Sequence, residues 1–233
     1  MNPIVAPVKN VVRAQISFNR LYERPMGVPA IALWHGDSGR GKSTAATHIY
    51  NQLEGVYISV RSADTVTSLT RRMVEECGGE PLNAKSRNIE YIIRHLSLNN
   101  TPLFIDEADY LMNKNEMLDT VRDIYDATEV PMVLIGMNKI ARRIESNRQF
   151  FNRISEWVEF KAADLEDVKT VANCMMDDQI TIEEELLERL RKSTNGEMRR
   201  IVIGINKIIS LANANELLTI TSRDWGDAPF HGY

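Results

Sequence analysis

Short apolar runs alternate along this chain with longer stretches in which apolar residues recur every three or four positions. The runs at 30–34, 56–60, 103–105, 131–135 and 157–160 read as strands. Between them, helical spacing covers 44–53, 64–77, 86–98 and 116–128, followed by a short basic helix at 139–146. Ile89, Ile92, Ile93 and Leu96 carry the helical period most plainly. A further helix is predicted over 9–22, with Val8, Val12, Ile16 and Leu21 as a sparse apolar face. Pro25 and Pro29 punctuate the entry to the first strand, while Gly55 and the pair Gly78-Gly79 stop helices. Strands separated by helices predict an α/β fold, a parallel sheet with helices on both faces. From Asp164 onward the strand pattern vanishes, and helices near 164–176, 183–193 and 197–212 predict a small C-terminal helical lid. The expected organisation is an N-terminal helical segment (1–25), an α/β domain (26–162), the lid (163–213) and a tail (214–233).

At 233 residues the chain buries a core comfortably. Its net charge of −4 argues against a dominant electrostatic footprint for nucleic acid, so any such surface must be a local patch. Cys77 and Cys174 form neither a metal spacing nor a disulfide framework, which fits a reducing compartment. The N-terminus lacks a basic segment followed by an apolar one, and no apolar run approaches a membrane span. A soluble protein of a bacterial host cytosol is expected.

Gly36, Asp37, Ser38, Gly39, Arg40, Gly41, Lys42 and Ser43 fit G-x-x-x-x-G-K-[ST], and Thr44 follows at the start of a helix. The flanking strand and helix are the context that phosphate binding requires. The glycines let the backbone turn tightly enough for its N–H groups to wrap a phosphate, and the helix adds the positive end of its dipole. Lys42 would face the β- and γ-phosphates, and the Ser43 hydroxyl would ligate Mg²⁺. A nucleoside triphosphate, ATP with Mg²⁺, is the predicted ligand. At the end of the strand 103–105 stand Asp106 and Glu107. Asp106 is placed to hold the Mg²⁺ water shell, and Glu107 to act as general base on the attacking water. The plain alternative is that these acids only open a solvated helix.

The phosphate loop, Ile105-Asp-Glu-Ala108, Leu134-Ile-Gly-Met-Asn138, a basic helical segment and a Gly-x-x-Arg lid together resemble the AAA+ ATPases. Within them, Asp106-Glu-Ala-Asp-Tyr-Leu111 and residues 118–128 before a Val-Leu-Ile-Gly strand are similar to the phage Mu transposition protein MuB and its relatives TnsC, TniB and IstB. The resemblance covers roughly residues 10–212. One departure is that the 233 residues leave no room for the extra N-terminal helix-turn-helix domain of MuB. By motif position, the resemblance implies that Asn138 is sensor 1 and that Arg153 reaches a neighbouring subunit's γ-phosphate, with Arg148 as competitor. It likewise implies that Arg199 is the sensor 2 arginine, with Arg200 adjoining it.

Arg61, Arg71, Arg72, Lys85 and Arg87 make a local positive surplus, and Lys139, Arg142, Arg143 and Arg148 make a second. Either set could meet phosphates or lie on a solvated face. In the resembled proteins the first region lines a helical assembly and contacts DNA backbone. The implied partners are double-stranded DNA bound without sequence readout, a transposase, and further copies of the chain in a ring or filament; no membrane is implied. The rival expectation is a helicase-loader or initiator-like ATPase that remodels a protein partner.

Overall fold

The computed structural model describes residues 5–176 and 180–231. Residues 1–4 and 232–233 of the segments expected at the two ends, and 177–179 of the expected lid, lie outside them. Two compact units emerge. One comprises Arg13–Gly36 and Lys42–Glu159; the other comprises Asp37–Gly41 with the described residues of 1–12 and 160–233.

The first unit is the predicted α/β layer structure. Its strands β1 (Ile31–Gly36), β2 (Val56–Ser59), β3 (Leu103–Asp106), β4 (Met132–Gly136) and β5 (Ile154–Phe160) form one sheet in the order β2-β3-β4-β1-β5. β1 pairs with β4, β4 with β3 and β3 with β2, all parallel. Every residue of β3 and β4 is buried, which explains why these strands read as unbroken apolar runs. Around them run α2 (Lys42–Leu53), α3 (Val66–Glu76), α4 (Lys85–Asn99), α5 (Asn115–Thr128), α6 (Asn138–Ser146) and the single turn α7 (Arg148–Phe151). A 3-10 turn, Ala108–Asn113, sits between β3 and α5. Leu69, Met73, Ile92, Leu96, Val121 and Ile124 bring α3, α4 and α5 onto one face of the sheet.

The helix α1 (Lys9–Tyr22) forms as predicted, and Val8 and Leu21 of the expected apolar face are buried, but the middle of that face is not. Val12 and Ile16 are exposed, whereas Ala14, Ser17, Phe18 and Leu21 are buried. Phe18 stacks on Phe104 at 5.4 Å, and the Trp34 indole N–H donates to Ser17 Oγ at 3.3 Å. The buried face turns away from Val12 and Ile16 toward Phe18, whose ring buries more surface against the sheet.

In the second unit, α8 (Leu165–Met175), α9 (Glu184–Ser193) and α10 (Met198–Ala214) pack around Val171, Leu186, Leu190, Ile201, Ile205 and Ile208. The expectation that strands end with residue 160 is corrected. β6 (Thr181–Ile182) and β7 (Thr219–Ile220) form a two-stranded parallel ribbon. Beyond residue 213 the chain also carries a one-turn helix, α11 (Ser222–Trp225), capped by Thr221, and Trp225 stacks on Phe230 at 4.9 Å. Both rings are buried in the core of this unit. Two-residue strands carry no readable period, so sequence pattern could not announce them.

Candidate functional site

The phosphate-loop motif leaves the C-terminal end of β1 and runs into the first turn of α2. Gly39 and Gly41 adopt φ of +73° and +88°, a region that only glycine enters without strain. Lys42 is buried, and its ammonium donates to the Gly36 carbonyl at 2.7 Å. The loop tip is held within the second unit. Arg40 Nη1 donates to the carbonyls of Asn195 and Gly196, each at 2.8 Å, and the Arg199 N–H donates to Gly39 O at 3.4 Å. Asn10 Nδ2 donates to Arg40 O at 3.3 Å and Lys161 O at 2.8 Å. A Cβ on Gly39 would meet only the Glu197 side chain, which can swing aside, so it is the positive φ that calls for glycine there. Of the two adjacent arginines on α10, Arg200 pairs with Glu197 at 2.9 Å, while the Arg199 side chain is exposed and unpartnered among the described residues.

β3 lies two strands from β1 in the sheet and ends on the buried Asp106. Its Oδ2 accepts from Ser43 Oγ at 2.6 Å and from the Tyr57 hydroxyl at 2.5 Å, and its Oδ1 accepts from the Glu107 N–H at 2.8 Å. The serine that ends the phosphate-loop motif and the aspartate that ends β3 therefore converge across 63 residues of sequence. A hydroxyl and a carboxylate are hard oxygen donors of the kind Mg²⁺ takes alongside water and phosphate, so the pair fits that ion. Desolvation and the Asp106 charge push the Tyr57 phenol above its ordinary value, so it stays a donor.

Glu107 occupies the left-handed region, with φ 54° and ψ 36°, although it is not a glycine. Such a conformation costs of order 1–3 kcal/mol and concentrates at functional sites. Desolvation, then the charges of Asp106 and Asp109, push the Glu107 carboxyl above its ordinary value; Lys42 opposes them. Asp109 Oδ2 accepts the Met137 N–H at 2.7 Å, which ties the turn after β3 to the turn after β4. A Cβ on Gly136 would lie 2.5 Å from that oxygen, so only glycine leaves room for the tie. Asn138 follows at the start of α6, with its Oδ1 at 3.4 Å from His35 Nδ1 on β1. Asp106, Glu107 and Asn138 thus stand at the C-terminal ends of neighbouring strands, where ligands of open α/β sheets bind. Sequence reasoning missed Tyr57, Asp109 and His35. For Asp109 a signal existed, its place two residues after Glu107.

The arginines differ in what they touch within the chain. Arg153 is engaged within its own chain: Nε and Nη2 meet the Asp126 carboxylate at 2.5 and 2.6 Å, and Nη1 donates to the Gln149 carbonyl. Arg148 is exposed, with no side-chain partner among the described residues. It lines a groove of about 730 Å³ with Asn113, Leu118, Arg143, Asn147 and Gln149. Among the first basic set, Arg72 also braces its own chain. It binds Asp64 and donates to Ser59 O at 2.9 Å, with its side chain only 19% exposed. Arg71 donates to Asn83 Oδ1 at 2.9 Å, and Lys85 pairs with Glu116 at 2.5 Å. Arg61 and Arg87 remain exposed.

No helix among the described residues is long and apolar enough to cross a membrane. No curated protein matches the sequence. Solved structures similar to this chain include the Aeropyrum pernix ORC1 protein in complex with DNA, at 14% identity and a TM-score of 0.66. That match covers 95% of this chain and 64% of the other. The Aeropyrum pernix ORC2 protein, in ADPNP-ADP complexes, matches at 15% identity and a TM-score of 0.68, covering 96% and 68%. CDC6P from Pyrobaculum aerophilum matches at 14% and 0.66, also covering 96% and 68%. At these identities the likeness is one of fold, and the chain spans about two thirds of each of those proteins. A family model described as AAA domain matches residues 28–144, half of the chain, including the phosphate loop, Asp106, Glu107 and Asn138. The chain belongs to the AAA domain family of P-loop ATPases.

Proposed function

We propose that this protein is an ATP-hydrolysing switch that assembles on duplex DNA when ATP is bound. The observation that carries the first half is the convergence of Ser43 and Asp106 at 2.6 Å, beside Lys42 and Glu107. In this reading the loop N–H groups and Lys42 bind the β- and γ-phosphates, and Ser43 and Asp106 hold Mg²⁺, which neutralises phosphate charge when bound. Glu107, with its raised affinity for a proton, deprotonates the water that attacks the γ-phosphorus. Asn138 positions that water, and Arg199, whose side chain has no partner among the described residues, is the sensor 2 arginine. The ion pair to Asp126 makes Arg153 the weaker choice for the residue completing a neighbour's site, and Arg148, without a side-chain partner among the described residues, the stronger.

The DNA half of the reading rests on Arg61, Arg71, Lys85 and Arg87, too few charges for one subunit to hold DNA alone. Repeated along an assembly, they neutralise enough phosphates for binding without sequence readout. In its finer form, the resemblance to MuB, TnsC and IstB supports selection and delivery of target DNA to a transposase. The fold shared with ORC1 and CDC6P supports a second reading, an initiator-like or loader-like switch. A transposase added to the DNA-bound assembly separates them, since only the first reading requires it to be recruited.

The catalytic half is tested by phosphate release and fluorescent-nucleotide binding. Lys42→Ala is expected to abolish ATP binding. Glu107→Gln is expected to keep binding and lose about 10²-fold or more in turnover, the usual scale for a lost general base. Normal turnover in Glu107→Gln contradicts the assignment.

A further inference from the structure

Tyr57 belongs to none of the motifs, yet it reaches the centre of the site from β2. β2 and β3 pair in parallel, with Tyr57 beside Phe104 and Ser59 beside Asp106. From there the Tyr57 hydroxyl donates to Asp106 Oδ2 at 2.5 Å, the oxygen that also accepts from Ser43 Oγ at 2.6 Å. An ionised carboxylate offers about four lone-pair positions. Three carry donors here: both positions on Oδ2, and one on Oδ1 that takes the Glu107 N–H at 2.8 Å. The acceptor position left over is on Oδ1.

We propose that Tyr57 is a positioning residue for the divalent cation: by saturating Oδ2 it makes Oδ1 the Asp106 atom presented to the ion's hydration shell. The proposal rests on the reading of Ser43 and Asp106 as the residues that hold Mg²⁺. The hydroxyl is delivered by a constrained ring. Tyr57 stacks on Tyr50 of α2 with centroids 5.1 Å apart, and Tyr50 lies 6.2 Å from Phe104 of β3. The tyrosine pair therefore joins the helix that carries Ser43 to the strand that carries Asp106. Groups that orient a metal ligand commonly govern affinity for the metal although they never touch it, because they fix which lone pair faces the ion. A tyrosine present only for packing would leave cation affinity unchanged when its hydroxyl is removed.

The test titrates Mg²⁺ into the full chain mixed with a fluorescent ATP analogue, with a parallel binding curve in EDTA. Tyr57→Phe keeps the ring and is expected to bind the analogue in EDTA as the unaltered protein does. Its half-saturating Mg²⁺ concentration is expected to rise by about tenfold, the lower end of the effect of losing an outer-shell partner. Tyr50→Leu loosens the ring but leaves the hydroxyl, and is expected to raise the Mg²⁺ midpoint by clearly less than Tyr57→Phe does. An unchanged midpoint in Tyr57→Phe, or equal rises in Tyr57→Phe and Tyr50→Leu, overturns the proposal, as does an unfolded Tyr57→Phe by circular dichroism. Ser43→Ala separates this failure from failure of the underlying reading: if it leaves the Mg²⁺ midpoint in place, the cation site itself is misassigned.

Discussion

At the scale of single residues, the candidate site is a set of acids and amides at strand ends, cross-braced by side chains from neighbouring strands. Asp109 illustrates the bracing, since its carboxylate holds the Met137 N–H next to Asn138 while its own turn begins at Glu107. Asp109→Ala leaves that N–H without its acceptor and frees the two turns from one another. Turnover is expected to fall by about tenfold or more, given how steeply rate depends on sub-ångström placement. Asp109→Asn retains an oxygen acceptor and is expected to keep most of the activity. Equal losses in both variants by steady-state phosphate release would mean that the charge matters and the tie does not. The residues within the motifs were legible because their spacing is local: eight consecutive positions define the loop, and an apolar run ending in Asp106-Glu107 defines the other half. Tyr57, Asp109 and Gly136 were not legible in their roles. Their contacts depend on the sheet order β2-β3-β4, which no local pattern encodes.

The same distinction holds for whole elements. The sheet strands and most of the helices stood out because burial imposes a period or an unbroken apolar run. The misread cases are those where two faces overlap or where the element is too short to have a period. In α1 the expected and the buried face overlap, and the sheet's aromatic surface decides where the buried one lies. Phe18→Ala is therefore expected to cost about 3–5 kcal/mol in urea denaturation, the range for emptying a buried aromatic site. Ile16→Ser, on the stripe expected from sequence, is expected to stay within about 0.5 kcal/mol of the unaltered protein. The reverse ranking would place the helix in the wrong register. The chain after residue 213 belongs to the same lesson. Trp225 and Phe230 are separated by polar and turn residues that carry no period, yet both contribute to the core of the second unit.

At the scale of the whole molecule, the account requires copies of the chain to act together. The arginine expected to complete a neighbour's site is bound to Asp126, while Arg148 lines a groove and has no side-chain partner among the described residues. Arg148→Ala is expected to leave ATP affinity intact and to depress turnover by about 10³-fold or more, the scale of a trans arginine in phosphoryl transfer. Mixed with Lys42→Ala, it is expected to recover part of the activity, because each protein supplies what the other lacks. Recovery seen with Arg153→Ala and not with Arg148→Ala would restore the assignment implied by motif position. The central claim, that ATP converts an acidic protein into a duplex-DNA binder, is met most directly by fluorescence anisotropy of a labelled random duplex. The titration is run with ATP, with ADP and without nucleotide, at two salt concentrations. The account predicts cooperative binding with ATP alone, weakening steeply with salt, and a shallower salt slope once Arg61, Arg71, Lys85 and Arg87 are neutralised together. Equal binding in all three nucleotide conditions, or none in any of them, would contradict it.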